Sequence, residues 1–107
     1  MRTHQEIDER SLALARAVAD RIDRDSRREG MRRARENCAR WLQNGPSPAI
    51  AEWQHLLEQD WQSVREALLD NGELGRRLRQ SSPFCGILTP RERWEIYRHF
   101  SGEKTGT

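Results

Sequence analysis

Apolar residues recur along this chain at helical spacing, in stripes separated by polar or charged stretches. The most regular stripe occupies the middle of the chain and consists of Ile50, Trp53, Leu57, Trp61, Val64 and Leu68. Intervals of three and four residues place these side chains on one face of a helix. No segment alternates apolar and polar residues with the period of two that a half-buried strand requires. The pattern therefore predicts an all-α protein, a small bundle of four to six helices with no sheet.

Capping residues predict where the helices begin and end. Thr3 and Glu6 form a capping box, so we expect the first helix to begin at His4. The run Asn44-Gly45-Pro46 predicts a helix end, because proline cannot continue a helix. A short helix is expected from Glu73 to Gln80. Three further start signals are Ser47 before Pro48, Asp60 inside the central stripe, and Thr89 followed by Pro90 and Glu92.

The stripes divide the chain into two parts of one domain. Residues 1–43 are predicted to form an N-terminal helical arm, either one long helix or two helices with a hinge near Gly30. We favour two helices, because residues 23–29 contain no apolar side chain. Residues 44–101 are predicted to form a C-terminal helical bundle, and residues 102–107 a disordered tail.

The composition predicts a thin core. Hydrophobic residues make up 35% of the chain, charged residues 34%, and the mean hydropathy is −1.01, whereas globular domains average about 45–50% apolar and about 25% charged residues. No run approaches the roughly 18 apolar residues that a membrane span needs. The N-terminus also does not lead into the apolar region of a signal peptide. We therefore expect a cytoplasmic protein that does not bind membranes.

Catalytic and metal-binding signals are weak. Cys38 and Cys85 lie far apart without a C-x-x-C pattern, which predicts two reduced thiols rather than a disulfide or a zinc site. The histidines His4, His55 and His99 fall in separate predicted helices, with no supporting pattern of a nucleophile and base. The chain has no glycine-rich phosphate loop. We therefore expect no enzymatic activity, no catalytic residue, no metal site and no cofactor.

Charge is unevenly distributed along the chain. Residues 1–43 carry 11 arginines and 8 acidic residues, whereas residues 44–72 carry one arginine and 5 acidic residues. Arginines crowd the segment 24–40, where they could neutralise phosphates. Acidic residues interleaved three and four positions away fit a solvated helix with ion pairs equally well. The candidate nucleic-acid-binding residues are Arg27, Arg28, Arg32 and Arg33.

The stretch from Leu78 to Arg93 places Phe84, Ile87 and Leu88 among arginines, in what would otherwise be a polar turn. In one interpretation, it connects two helices and its apolar residues plug the base of the bundle. In the other, it is a recognition segment that anchors Phe84 in a partner while arginines meet an acidic surface. The candidate partner-binding residues are Arg76, Arg77, Arg79, Ser81, Ser82, Phe84, Arg91 and Arg93.

Four tryptophans are many for so polar a chain. Trp41, Trp53, Trp61 and Trp94 either fill the core, since each buries a large area, or lie in part at an interface, where tryptophan and arginine are common hot spots. In the last helix, the spacing allows either Ile96 and Phe100 or Trp94 and Tyr97 to face inward.

Together with Trp53, Trp61 and the run Glu92-Arg93-Trp94, this stretch resembles small bacterial proteins that are encoded beside toxin genes. The resemblance covers residues 50–100. It implies an antitoxin, a helical protein that holds a toxic enzyme inactive by covering its active site.

Many such toxins are metal-dependent nucleases or nucleotidyltransferases with carboxylate-rich active sites. An arginine placed among those acids would replace the charge of the metal, and the bidentate guanidinium suits this role better than lysine. If the resemblance holds, Arg79 is the first choice for this role, with Arg76 and Arg77 beside it.

We therefore expect a non-enzymatic module that binds a protein partner, preferably a toxin. Two alternatives remain open. One is a small nucleic-acid-binding regulator that uses residues 24–40, and the other is a structural homodimer formed through the apolar stripe from Ile7 to Ile22.

Overall fold

The structure, a computed structural model, describes residues 4–105 and the side chains of residues 5–100. This part of the chain forms six helices and no strand, which confirms the predicted all-α fold. No helix within it is long and apolar enough to cross a membrane. The helices are α1 (His4–Asp23), α2 (Glu29–Gln43), α3 (Pro48–Leu56), α4 (Trp61–Leu68), α5 (Glu73–Gln80) and α6 (Pro90–Thr105).

Side-chain caps fix three of the predicted helix starts. Ser47 accepts a hydrogen bond from the backbone N–H of Ile50 at 3.3 Å, and Pro48 is the first residue of α3. Asp60 accepts from the backbone N–H of Ser63 at 3.0 Å, so the central stripe breaks into α3 and α4. The predicted cap at Thr3 lies outside the described residues. The third cap, at Thr89 before α6, forms a complete capping box with Glu92. The structure therefore confirms the caps at Ser47, Asp60 and Thr89.

The N-terminal part of the chain forms two helices, as we favoured, and the break at residues 24–28 lies just before Gly30. Arg28 adopts the left-handed conformation, with φ 52°, and its Nη1 donates to carbonyl oxygens at the end of α1 and in the turn. Gly30 lies in the first turn of α2 and packs against Ile22, where a Cβ atom would come within 2.5 Å of Ile22 Cγ1. The glycine therefore permits close packing of α1 and α2 and is not a hinge.

One core unites all of these helices. Trp53, Leu57, Val64 and Leu68 from the central stripe are fully buried. The same core contains Ala15, Val18, Ala19 and Ile22 from α1, Ala34 and Cys38 from α2, and Leu78, Phe84 and Leu88 from the last third of the chain. The stripe from Ile7 to Ile22 was the predicted homodimer interface. That prediction is wrong for Val18 and Ile22, because the chain's own core already covers them.

Three side chains from the first two helices hold the loop between α5 and α6. Asn37 is 5% exposed and donates from Nδ2 to the carbonyl oxygen of Pro83 at 2.8 Å. Arg33 donates to the carbonyl oxygen of Gly86 at 2.9 Å, and Arg21 to that of Ile87 at 3.4 Å. The loop is therefore bound to α1 and α2 along its length.

Helix α6 lies against α1. Of the two predicted inward pairs, Ile96 packs on the core and Phe100 is half-buried. In the other pair, Trp94 is exposed, whereas Tyr97 is half-buried beneath the guanidinium of Arg10. The helix runs to Thr105, past the end expected near residue 102. Residues 106 and 107 lie outside the described part of the chain.

Candidate functional site

Arg79, the arginine predicted to enter a partner's active site, is buried. Only 8% of the residue is exposed, and its Nη1 donates to the carbonyl oxygens of Leu68 at 2.9 Å and Asp70 at 2.7 Å. The cation thus binds carbonyl groups at the C-terminus of α4, where the helix dipole favours positive charge. Burial lowers the pKa of Arg79 from its ordinary value. In this position Arg79 is covered by its own chain, so insertion into a partner's active site stays a prediction and would require Arg79 to leave these carbonyl groups.

Phe84 is also buried and does not form an exposed anchor. It is 6% exposed and meets the ring of Trp53 edge to face, with 5.6 Å between the ring centroids. The indole of Trp53 in turn donates from Nε1 to the carbonyl oxygen of Leu78 at 2.8 Å. Of the two interpretations of this stretch, the structure matches the first, in which its apolar residues plug the base of the bundle.

The two arginines before Arg79 face outward and pair with acidic residues of other helices. Arg77 makes a bidentate ion pair with Glu52 of α3, at 2.5 Å and 3.0 Å. This ion pair holds the pKa of Glu52 below its ordinary value. Arg76 lies 3.4 Å from Asp8 of α1. Both side chains are about half exposed, so a partner can reach them. An acidic group of the partner would have to compete with these intramolecular ion pairs.

The two predicted serines are half-buried at the end of α5. Ser82 accepts from the backbone N–H of Phe84 at 3.3 Å, and Ser81 is the C-cap residue of α5. The two serines thus belong to the turn that ends α5. The same turn carries Cys85, an exposed free thiol.

The candidate nucleic-acid arginines are largely engaged within the chain. Arg28 binds the end of α1, and Arg33 binds the α5–α6 loop. Arg32 pairs with Glu29 and with Glu36, and these partners raise its pKa. Arg27 is exposed, and its backbone N–H donates to Asp25. Among the four guanidinium groups, that of Arg27 acts within the chain through its charge, which adds to backbone hydrogen bonds in lowering the pKa of Asp25, while those of Arg28, Arg32 and Arg33 form hydrogen bonds.

The exposed face of α6 brings an aromatic residue and two arginines together. We call Arg91, Trp94, Glu95 and Arg98 the outer face of α6. Their spacing of three, four and seven residues puts them on one side of the helix. Trp94 is 57% exposed, and the guanidinium carbon of Arg98 lies 5.3 Å from its ring centroid. Arg91 is highly exposed and lies 3.5 Å from Glu95. A large ring held flat beneath a cation, and open to solvent, can contact a partner.

Comparison of the chain with protein-family models, with curated proteins and with solved structures gives no match. Among the described residues, no group of three or more His, Cys, Asp or Glu side chains is placed to hold a metal ion. The description of the site therefore depends on the geometry of this chain alone.

Arg91 and Arg93 were predicted to bind a partner, whereas Trp94 was left open between the core and the surface. The position of Trp94 follows from the packing of α6 on α1. This packing places Ile96 against the core and leaves Trp94 exposed. That contact joins parts of the chain about 80 residues apart, and spacing within α6 alone could not reveal it. Arg93 lies on a different side of α6 and lines a cavity beside α1.

Proposed function

We propose that this protein is a non-enzymatic module that binds an acidic surface of a partner protein through the outer face of α6. The observation that supports this role most strongly is Trp94, which is 57% exposed beneath the guanidinium of Arg98. Tryptophan and arginine are the residue types most enriched at interface hot spots. The ring of Trp94 is large and open to solvent, so its burial by a partner together with Arg98 would add substantial apolar contact area to a complex.

The charge of this surface favours an acidic partner. The outer face carries two arginines and one glutamate, and residues 73–107 carry 7 basic and 4 acidic residues. Arg91 and Arg98 can each offer a planar pair of N–H donors to a carboxylate. Complementary charge speeds association and fixes the orientation of the complex.

The finer form of the proposal is an antitoxin whose partner is a toxin enzyme with a carboxylate-rich active site. The resemblance of residues 50–100 to small proteins encoded beside toxin genes supports this form. The arginines that cover the acidic site would then be those of α6, because Arg79 is buried and Arg77 is paired with Glu52. Nucleic-acid binding by Arg27, Arg28, Arg32 and Arg33 has less support, because three of these guanidinium groups already have partners within the chain.

Two charge-reversed variants test which arginines bind the partner. The immobilised wild type is exposed to nuclease-treated host lysate and compared with Arg91→Glu/Arg98→Glu and with Arg76→Glu/Arg77→Glu. We expect one protein to be retained by the wild type and by the second variant, and lost from the first. Loss from the Arg76/Arg77 variant alone would move the interface to α5. Recovery of nucleic acid instead of protein, when the nuclease is omitted, would contradict the protein-binding role.

Co-expression tests the antitoxin form separately. The gene next to the one that encodes this chain is expressed with and without it, and growth is followed. We expect the neighbouring product to arrest growth and this protein to restore it, with the Arg91→Glu/Arg98→Glu variant failing to do so. Absence of any growth arrest would reject the antitoxin form. The binding role would then be tested by the retention experiment alone.

A further inference from the structure

A cavity of about 230 Å³ lies between α1, the α5–α6 loop and the start of α6. Its inner wall is apolar and consists of Leu14, Val18, Leu68, Phe84 and Leu88. An engineered cavity of about 150 Å³ lined by apolar side chains is large enough to bind benzene. This cavity can therefore hold a ring or a short alkyl chain together with one polar group.

Arg79 forms part of the cavity wall and has donors that its own chain does not use. Both hydrogen bonds of its side chain within the described residues come from Nη1, to the carbonyl oxygens of Leu68 and Asp70. Its Nε is buried and has no hydrogen-bond partner among the described residues. The edge of the guanidinium formed by Nε and Nη2, which binds carboxylates in a bidentate manner, is thus left over.

The acidic residues near Arg79 have other hydrogen-bond partners. Asp70 accepts from the backbone N–H groups of Gly72 at 3.2 Å and Gly75 at 2.9 Å. Asp8 lies 3.4 Å from Arg76. The charges of Asp8 and Asp70 favour the protonated form of Arg79, but neither carboxylate hydrogen-bonds to its Nε or Nη2. That edge of the guanidinium is therefore available to an anion.

Further polar groups line the same cavity. Ser11 and Ser82 are half-buried in its wall, and Arg93 is exposed and marks the side that opens to solvent. A serine hydroxyl can donate to a carboxylate oxygen, and a second cation near the opening would attract an anion as it enters. The cavity thus combines an apolar wall, a buried cation and neutral donors, as small-molecule sites commonly do.

We propose that this cavity is a binding site for a small monocarboxylate with an apolar body, whose carboxylate meets the Nε and Nη2 edge of Arg79. The apolar body would lie against Val18, Leu68 and Phe84. This role does not depend on the proposed function, because the outer face of α6 does not line the cavity.

Paired probes test the proposal on the wild-type protein. Phenylacetate and hexanoate are titrated into the ¹⁵N-labelled protein, and the neutral amides phenylacetamide and hexanamide serve as controls of matched shape. We expect at least one carboxylate to shift the backbone signals of Val18 and Phe84 and the side-chain Nε–H signal of Arg79. The matching amide should bind at least about tenfold more weakly. Equal binding of acid and amide, or no shift with either acid, would overturn the proposal.

Variants locate the bound probe. Ala15 is 6% exposed and lines the cavity, so Ala15→Leu should fill the space and abolish binding while the fold is kept. Arg79→Lys should weaken binding of the acid at least about tenfold, because lysine keeps the charge but lacks the bidentate edge. Arg24→Gln, which changes an exposed arginine outside the cavity, should bind as the wild type does. Binding that survives Ala15→Leu would place the probe elsewhere and reject the site.

Discussion

The indole Nε1 of Trp61 donates a hydrogen bond to Oδ1 of Asp23 over 2.7 Å, which ties the first residue of α4 to the last residue of α1. The second carboxylate oxygen of Asp23 accepts from Nε of Arg65 at 3.0 Å. These bonds connect the N-terminal part of the chain to the central helices. The charge of one carboxylate therefore stabilises part of the contact between the two parts.

The first prediction concerns acid stability. The Trp61 hydrogen bond, with a further contribution from Arg65, holds the pKa of Asp23 below its ordinary value of 3.8. The stabilisation is therefore present above that ordinary value and is lost as the pH falls through the lower pKa of the folded state. Asp23→Asn removes the charge that these two donors bind, so it should lower the free energy of unfolding at neutral pH. The expected loss is only about 1 kcal/mol, because the carboxylate is partly exposed. Urea unfolding at pH 7 and at pH 3 measures the difference, which should shrink in acid. A difference that is equal at both pH values would contradict this assignment.

The second prediction concerns Gly75, which packs against the turn before α5. A Cβ atom at this position would overlap the carbonyl oxygen of Asp70 and come within 2.6 Å of its carbonyl carbon. Backbone atoms cannot yield as a flexible side chain can, so Gly75→Ala should destabilise the fold by about 2–3 kcal/mol. Gly72→Ala is the matched control in the same turn, because its nearest neighbour is the side chain of Asp70 at 3.3 Å. Thermal unfolding of both variants measures this, and similar losses would show that the close approach at Gly75 is unimportant.

The third prediction concerns the capping box of α6. Thr89 Oγ1 accepts from the backbone N–H of Glu92 at 3.1 Å, and Glu92 Oε1 accepts from that of Thr89 at 2.8 Å. The other carboxylate oxygen of Glu92 pairs with Arg21 of α1. Thr89→Ala should therefore cost about 1 kcal/mol of stability. Glu95→Gln, which removes an exposed charge from the same helix, should cost less than about 0.5 kcal/mol. Equal losses in denaturant unfolding would count against the cap.

The fourth prediction concerns the two thiols. Cys38 is fully buried in α2, and burial raises its pKa, whereas Cys85 is exposed in the α5–α6 loop. Because the thiolate is the reactive form, iodoacetamide should modify Cys85 in the folded protein and Cys38 only after unfolding. Mass spectrometry of peptides from native and urea-treated samples gives the two rates. Rapid native modification of Cys38 would show that α2 opens readily.

Local signals were sufficient to predict most of the fold. The caps at Ser47, Asp60 and Thr89 act through atoms three residues apart, so the sequence displays both partners together. The break after α1 was expected near Gly30 because residues 23–29 contain no apolar side chain, and it falls at residues 24–28. The sequence did not reveal that the guanidinium of Arg28 donates to three carbonyl oxygens at this break.

The candidate site was predicted less well, because burial depends on distant parts of the chain. Arg79 and Phe84 lie close to exposed arginines in the sequence. In the fold, however, Arg79 binds a carbonyl oxygen at the end of α4, and Phe84 packs against Trp53. Whether Trp94 is buried or exposed depends on which side of α6 packs against α1. Such contacts between residues distant in sequence leave no pattern within a single segment.

The most direct test compares two exposed apolar residues on different helices. Trp94 on the outer face of α6 is 57% exposed, and Leu74 on α5 is 50% exposed. The affinity of each alanine variant for the protein retained by the wild type is measured by calorimetry. The account predicts that Trp94→Ala weakens binding at least about tenfold, or about 1.4 kcal/mol, and that Leu74→Ala leaves it unchanged. Unchanged affinity in Trp94→Ala would contradict the claim that the outer face of α6 binds the partner.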